Sequence, residues 1–157
     1  MAKNNTISIG NSGEYFVAAE LERRGFTAAV PMSNTKDFDI LAINRETYRQ
    51  VALQVKTSRG RARSWMLNKK SEEISEPNVY YVFIVLNELE QPEYFVVESE
   101  LVATSMRKGY KNWIAGDKTG QKRHETSMRK FGFTVSEYDN CLGLKAEDFE
   151  SKWDKLK

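Results

Sequence analysis

The sequence has little of the chemistry that marks secreted or zinc-binding proteins. It contains one cysteine, Cys141, and one histidine, His124, among 157 residues. A single cysteine excludes a disulfide within the chain and fits a reducing compartment. One imidazole and one thiol are also too few for a zinc site built from the histidines and cysteines of one chain.

Long apolar stretches and a strong charge of one sign are absent as well. The longest apolar run, residues 79–86, is far too short to cross a bilayer, and no apolar segment follows the first residues as a signal peptide requires. We therefore expect a cytoplasmic protein with no membrane partner. The net charge is only +2, so any nucleic-acid surface must come from local clustering of lysine and arginine.

The length and composition are those of a globular protein. The chain is 40% hydrophobic and 29% charged, which suits one domain with its own core. No repeat, low-complexity tract or long Pro/Gly/Ser linker divides the sequence. We predict a single domain over residues 1–157.

One stretch, residues 50–58, predicts a strand with two unlike faces. Apolar residues at the odd positions alternate with more polar residues at the even positions, so Gln54 and Lys56 point the same way. An earlier run, residues 37–43, begins with acids, and the short loop between the two runs suits a hairpin. Pairing of these strands would bring Asp39 close to Gln54 and Lys56. An acid, an amide oxygen and a lysine at one sheet edge suit a divalent cation and a phosphate.

The remaining patterns predict a mixed α/β or α+β fold around a central sheet, opening with one helix and three strands. The first helix is expected from Asn11 or Ser12 to about Arg24, with Gly25 as its C-terminal stop. The other predicted strands span residues 26–32, 78–86, 93–97 and 131–136, and the other predicted helices span 98–108 and the segment from Lys145 onward.

Three ordered motifs resemble the PD-(D/E)xK nuclease superfamily over residues 8–97. They are Gly10-x-x-Gly13-Glu14, Asp39-Ile40-Leu41-Ala42 and Gln54-Val55-Lys56-Thr57-Ser58. The resemblance is to the small branch similar to archaeal Holliday junction resolvases, and it implies a restriction-endonuclease-like core with a mixed sheet flanked by helices. One position departs from the pattern, because Gln54 stands where the family has an acid. Its carbonyl can ligate a hard cation but brings no negative charge.

The resemblance implies a metal-dependent nuclease with Mg²⁺ or Mn²⁺ as cofactor. Lys56 would then stabilise charge at the reacting phosphate. Two of the acids have an alternative interpretation. Glu14 is either a site residue or a first-turn acid favoured by the helix dipole, and Asp37 either assists Asp39 or faces solvent. Four residues would hold the cation: Asp39, Gln54, Glu14 and, through its backbone carbonyl, Val55.

Two basic segments predict a nucleic-acid surface. The first directly follows the strand over residues 50–58, and the second, residues 107–130, holds eight basic residues against two acids. Either segment can instead be a solvated charged loop. DNA is favoured over RNA as the partner. The expected contacts are Arg59, Arg61, Arg63, Trp65, Lys69, Lys70, Lys122 and Arg123.

Three functions remain open from the sequence. The first is the metal-dependent nuclease; the resemblance suggests a homodimer, since many proteins of this kind cut two strands with two sites. The second is a nucleic-acid-binding module that has lost cleavage, which Gln54 favours. The third is a protein–protein adaptor of the immunity or antitoxin type, which the balanced charges near the C-terminus allow.

Overall fold

The computed structural model describes residues 6–32, 38–116, 123–136 and 138–157. Two helices, α1 and α2, lie within these ranges with seven strands and three short 3₁₀ turns. The helices are α1 (Thr6–Arg23) and α2 (Ser99–Ile114). The strands are β1 (Phe26–Ala29), β2 (Ile40–Asn44), β3 (Gln50–Ser58), β4 (Ser64–Asn68), β5 (Val79–Val85), β6 (Glu93–Glu98) and β7 (Met128–Gly132). The 3₁₀ turns are Lys69–Glu72, Ala146–Asp148 and Trp153–Leu156.

The main sheet has five strands in the order β1-β2-β3-β5-β6, and β4 pairs with β7 in a separate small sheet. The first three strands form an antiparallel meander, β3 and β5 run parallel, and β6 is antiparallel to β5. The predicted mixed sheet and its helix-and-three-strand opening are therefore confirmed. The strand that carries Gln54 and Lys56 lies at the centre of this sheet.

Two hydrophobic cores cover the two faces of the sheet. The first core lies under α1 and takes residues from every strand of the main sheet, including Ile40, Leu53 and Val55. The second lies under α2, β4 and β7 and is rich in aromatic side chains, yet its described residues come only from β5 and β6 of the main sheet. Because alternate residues of a strand face opposite ways, Gln54 and Lys56 lie on this second face, beside the second core.

Helix α1 packs directly on β3 through Gly13. A Cβ atom added at Gly13 would lie 2.0 Å from the Thr57 side-chain oxygen and 3.1 Å from the Ile84 side chain. Only glycine permits so close an approach without movement of a neighbour. The next residue along the helix is Glu14, so this contact sets the position of a predicted site acid relative to β3.

The prediction for the start of α1 is wrong by more than one turn. The helix begins at Thr6, and Ser12 sits inside it, where its hydroxyl donates to the Ser8 carbonyl at 2.7 Å. A serine can bond back to the preceding turn in this way, so its presence does not fix a helix start. The predicted stop is close to the observed one, because α1 ends at Arg23 and Gly25 has a φ of +88°.

The predicted C-terminal helix is wrong. The apolar residues are buried as expected, but the segment folds as two 3₁₀ turns interrupted by Ser151, whose φ is +52°. Its backbone pairs with β6 instead, since the Val96 amide donates to the Phe149 carbonyl at 3.0 Å. Helical spacing of apolar residues fits this folded-back segment as well as it fits a helix.

Other boundaries differ in the second half of the chain. Helix α2 extends to Ile114, six residues past the predicted end, and β7 covers 128–132 instead of 131–136. The bounds of β7 follow its pairing with β4, from Ser64↔Gly132 to Asn68↔Met128. A partner sixty or more residues away leaves no mark on the local pattern, so tertiary pairing decided the bounds of β7.

Candidate active site

The candidate site lies where β2 separates from β3. Their pairing ends at Ile40↔Leu53, whereas β3 continues to Ser58 with β5 as its partner. Asp39 occupies the split, where its backbone amide donates to the Leu53 carbonyl at 2.8 Å. Its carboxylate accepts a hydrogen bond of 2.7 Å from the Val55 amide. The side chain of Asp39 is therefore anchored where β2 leaves the edge of β3 open.

Three of the predicted site residues meet at this edge. The Lys56 ammonium donates to the Gln54 side-chain oxygen at 3.3 Å and lies 3.8 Å from the Asp39 carboxylate. Gln54 is only 8% exposed, whereas the side chains of Lys56 and Asp39 are 29% and 26% exposed. The cluster is thus partly desolvated but open to an incoming molecule, and its electrostatic interactions are stronger than at a free surface.

Glu14 approaches the same cluster from α1. Burial raises the pKa of its carboxyl, the negative charge of Asp39 raises it further, and the positive charge of Lys56 opposes both effects. Both acids therefore lie within electrostatic range of one ammonium. The repulsion between them is the kind of strain that a bound cation relieves.

The donors at this edge are all oxygens, as Mg²⁺, Mn²⁺ and Ca²⁺ prefer. Two are carboxylates and one is the neutral amide of Gln54. No group of three or more His, Cys, Asp or Glu side chains suited to a metal occurs in the described ranges. The roles assigned to these residues, including the one assigned to the Val55 carbonyl, stay predictions.

Tyr81 is a neighbour of the site that the sequence pattern did not single out. It faces Gln54 directly in the parallel register of β3 and β5. It belongs to an unbroken apolar run, and nothing in that run distinguishes its hydroxyl from those of ordinary core tyrosines.

Two of the predicted nucleic-acid contacts are exposed to solvent next to this edge. Arg59 and Arg61 are exposed in the loop that follows β3, and neither forms an ion pair with any residue that the structure describes. Arg63 differs, since it donates to Glu93 at 2.8 Å and lies over the Phe95 ring at 5.2 Å. The hydrogen bond to Glu93 raises the pKa of the Arg63 guanidinium.

Trp65 does not belong to a nucleic-acid surface. It is 3% exposed, packs 4.8 Å from the Phe83 ring and donates its indole N–H to the Ile84 carbonyl at 3.2 Å. The prediction that it contacts nucleic acid is wrong, because β4 turns this face of the strand toward the second core. Its buried ring leaves no face for a base to stack on.

The remaining predicted contacts are scattered. Lys70 is exposed on the 3₁₀ turn Lys69–Glu72, and Lys69 pairs with Glu125 at 3.5 Å. Arg123 packs over the rings of Trp113 and Tyr138 at 5.2 and 5.0 Å, so its guanidinium is largely committed within the protein. Lys122 and Asp37 lie outside the described residues. None of the helices in the described ranges has the length and hydropathy needed to span a membrane.

Comparison with solved structures identifies a restriction-endonuclease-like fold. The bacterial homing endonuclease I-Ssp6803I matches with a TM-score of 0.55 at 10% identity, over 96% of this chain and 89% of that one. Hjc, a Holliday junction resolvase from Archaeoglobus fulgidus, aligns with a TM-score of 0.48 at 16% identity, over 88% of this chain and 93% of that one. No protein-family model and no curated protein matches the sequence.

Proposed function

We propose that this protein is a nuclease that hydrolyses phosphodiester bonds in DNA with the help of Mg²⁺ or Mn²⁺. The observation that carries the proposal is the meeting of Asp39, Gln54 and Lys56 at the open edge of β3. The fold supports it, since a solved structure with the same fold is a homing endonuclease. Fold alone would not be enough, because one fold serves many functions.

The residues at this edge fit a hard divalent cation. Asp39 and Glu14 supply negative charge and Gln54 supplies a neutral oxygen. The pKa of Glu14 is raised by burial and then by the charge of Asp39, and a cation would offset both effects. When bound, such a cation would make a water molecule more acidic and offset charge on the phosphate.

The chain's own residues have separate tasks in this proposal. The Val55 amide holds the Asp39 carboxylate in place, so the main acidic ligand needs little reorganisation. Lys56 directs its ammonium toward the phosphate and stabilises the charge that develops there during attack. The exposed Arg59 and Arg61 contact the DNA backbone next to the site. A homodimer would present two such sites, one for each strand.

A cleavage assay tests the proposal. Wild type, Asp39→Asn and Asp154→Asn are incubated with single-stranded, duplex and branched DNA in Mg²⁺, in Mn²⁺ and in excess chelator. Asp154 is an exposed acid at the C-terminus and serves as the matched control. Wild type and Asp154→Asn should cleave at least one substrate with metal, and Asp39→Asn should cleave none. Failure of wild type to cleave any of the DNAs in either metal would overturn the proposal.

A second function is favoured by one observation, the neutral and nearly buried Gln54 in place of an acid. With less negative charge at the edge, a cation binds less tightly, and the protein would serve as a nucleic-acid-binding module without cleavage. Binding of DNA that is unchanged by chelator, together with no cleavage in Mn²⁺, would support this function over the nuclease.

A further inference from the structure

Tyr81 carries a buried hydroxyl with no hydrogen-bond partner among the residues that the structure describes. The side chain is 0% exposed and its ring stacks on Phe83 at 5.6 Å. An unpaired hydroxyl in a core is costly, and at a purely structural position phenylalanine would serve better. The presence of tyrosine therefore calls for an explanation from its surroundings.

The surroundings of this hydroxyl are those of the candidate site. Tyr81 and Gln54 are direct neighbours in the register of parallel strands, so their side chains leave the sheet on the same face, roughly 5 Å apart. Burial raises the pKa of the Tyr81 hydroxyl, the nearby Ser71 side chain lowers it and the charge of Asp39 raises it. Ser71 lies close without completing a hydrogen bond of good geometry. A tyrosine hydroxyl carries one O–H and can therefore donate.

A glutamine ligand raises a difficulty that an acid does not. The two ends of a carboxylate are both oxygens, whereas an amide has one oxygen and one NH₂ group, and only the oxygen can face a cation. The Lys56 ammonium donates to the Gln54 oxygen in the structure. A bound cation would repel this ammonium, and Lys56 would turn to the phosphate. A donor that takes its place at the Gln54 oxygen would then keep the amide the right way round.

We propose that Tyr81 is a positioning residue for Gln54, and that its hydroxyl donates to the Gln54 side-chain oxygen when the site holds a divalent cation. An amide oxygen has two lone pairs, so one accepts from Tyr81 and the other faces the cation. This arrangement lets a neutral amide act in the place of an acid. The inference rests on the proposed metal-dependent function and deepens it.

A double-mutant cycle read by Mn²⁺ calorimetry tests this inference. The variants are Tyr81→Phe, Gln54→Glu and the two together, with Tyr80→Phe as control. The control also removes a tyrosine hydroxyl, one residue earlier and on the opposite face of the sheet. The Tyr80 hydroxyl accepts a hydrogen bond from Arg49 at 3.1 Å. Tyr81→Phe should weaken Mn²⁺ binding about five- to tenfold, the scale of one hydrogen bond. In the Gln54→Glu background the same change should alter affinity less than about twofold, and Tyr80→Phe should leave affinity unchanged.

Thermal unfolding without metal supplies a second readout. Tyr81→Phe should melt no lower than wild type, because it removes an unpaired group. A lower melting temperature would show that the hydroxyl serves the fold and would overturn the inference. If Gln54→Glu does not fold, Gln54→Ala replaces it as the background without an amide, and Tyr81→Phe should again have no effect.

The calorimetry separates failure of the proposed metal site from failure of the role proposed for Tyr81. If wild type binds no Mn²⁺, the proposed metal site falls and this inference falls with it. If wild type binds Mn²⁺ and Tyr81→Phe binds equally well, only the role of Tyr81 is overturned. An equal loss of affinity in the wild-type and Gln54→Glu backgrounds would show that Tyr81 does not act through the amide.

Discussion

The two faces of the main sheet differ in how much of β3 they cover. Under α1 the odd-numbered residues of β3 join the first core, and the helix approaches so closely that only Gly13 fits. On the other face the second core takes its sheet residues from β5 and β6 and leaves Gln54 and Lys56 at its margin. The candidate site therefore lies where one core ends. One face of β3 is covered by α1, whereas on the other face the Lys56 side chain is 29% exposed.

Loss of Lys56 should produce the largest effect on the uncovered face. Lys56→Met keeps most of the stem and removes the charge that meets Asp39 at 3.8 Å. We expect cleavage to fall about 10²-fold or more, the scale of one lost electrostatic stabiliser. DNA binding in Ca²⁺ should change less than about tenfold, because the charge acts mainly at the transition state. Equal cleavage rates for the two proteins, measured at saturating DNA, would contradict the assignment.

On the covered face, Gly13→Ala should damage stability. The new methyl group would meet the Thr57 hydroxyl at 2.0 Å, and overpacking of this kind costs about 1–3 kcal/mol. Gly10→Ala is the matched control, since a Cβ there meets nothing within 4 Å. It should stabilise the helix by roughly 0.5–1 kcal/mol.

Denaturant unfolding of both alanine variants measures this difference. Adding Thr57→Ala to Gly13→Ala should recover part of the loss, because it removes the nearest clashing atom, which has no hydrogen-bond partner in the described structure. Similar unfolding free energies for Gly13→Ala and Gly10→Ala would show that α1 does not depend on this close contact.

Local sequence patterns were enough to predict the candidate site, but they could not predict the second core. Asp39, Gln54 and Lys56 belong to adjacent strands joined by a short hairpin, so alternation and a loop length were enough to bring them together. Trp65 could not be placed in this way, because its burial depends on β5 and on the distant β7. The same limit applies to the C-terminal segment, whose backbone partner is β6.

The loop after β3 carries two exposed arginines, Arg59 and Arg61. Arg59→Ala with Arg61→Ala should weaken DNA binding and flatten the slope of log affinity against log salt by about 0.9 per lost contact on duplex DNA. Arg63→Ala is the contrasting variant, since Arg63 is paired with Glu93. It should lower stability and leave the salt slope nearly unchanged. An unchanged slope in the double variant would show that Arg59 and Arg61 are only solvated.

The smallest effect is expected at Glu14, which lies on α1 and interacts electrostatically with Asp39 and Lys56. Its pKa is raised in the folded protein, so folding favours the protonated form, and stability falls as pH rises from the ordinary value of 4.5 through the raised one. Glu14→Gln should therefore melt slightly higher than wild type at neutral pH without metal. The advantage should vanish below the ordinary pKa.

Melting curves at about pH 4 and about pH 7, with and without Mn²⁺, check the sign of this effect. Added Mn²⁺ should stabilise wild type more than Glu14→Gln, because a bound cation relieves the repulsion between the two acids. A wild type that melts higher than Glu14→Gln at neutral pH without metal would contradict the account of Glu14.

The central claim is that the open edge of β3 holds a divalent cation through Asp39. Calorimetric titration of wild type and Asp39→Ala with Mn²⁺ tests it most directly, with Asp154→Ala as a control for loss of an exposed acid. Wild type and Asp154→Ala should bind Mn²⁺ at millimolar or lower concentration, and Asp39→Ala should show no binding heat. Equal binding by wild type and Asp39→Ala, or no binding by wild type, would contradict the claim.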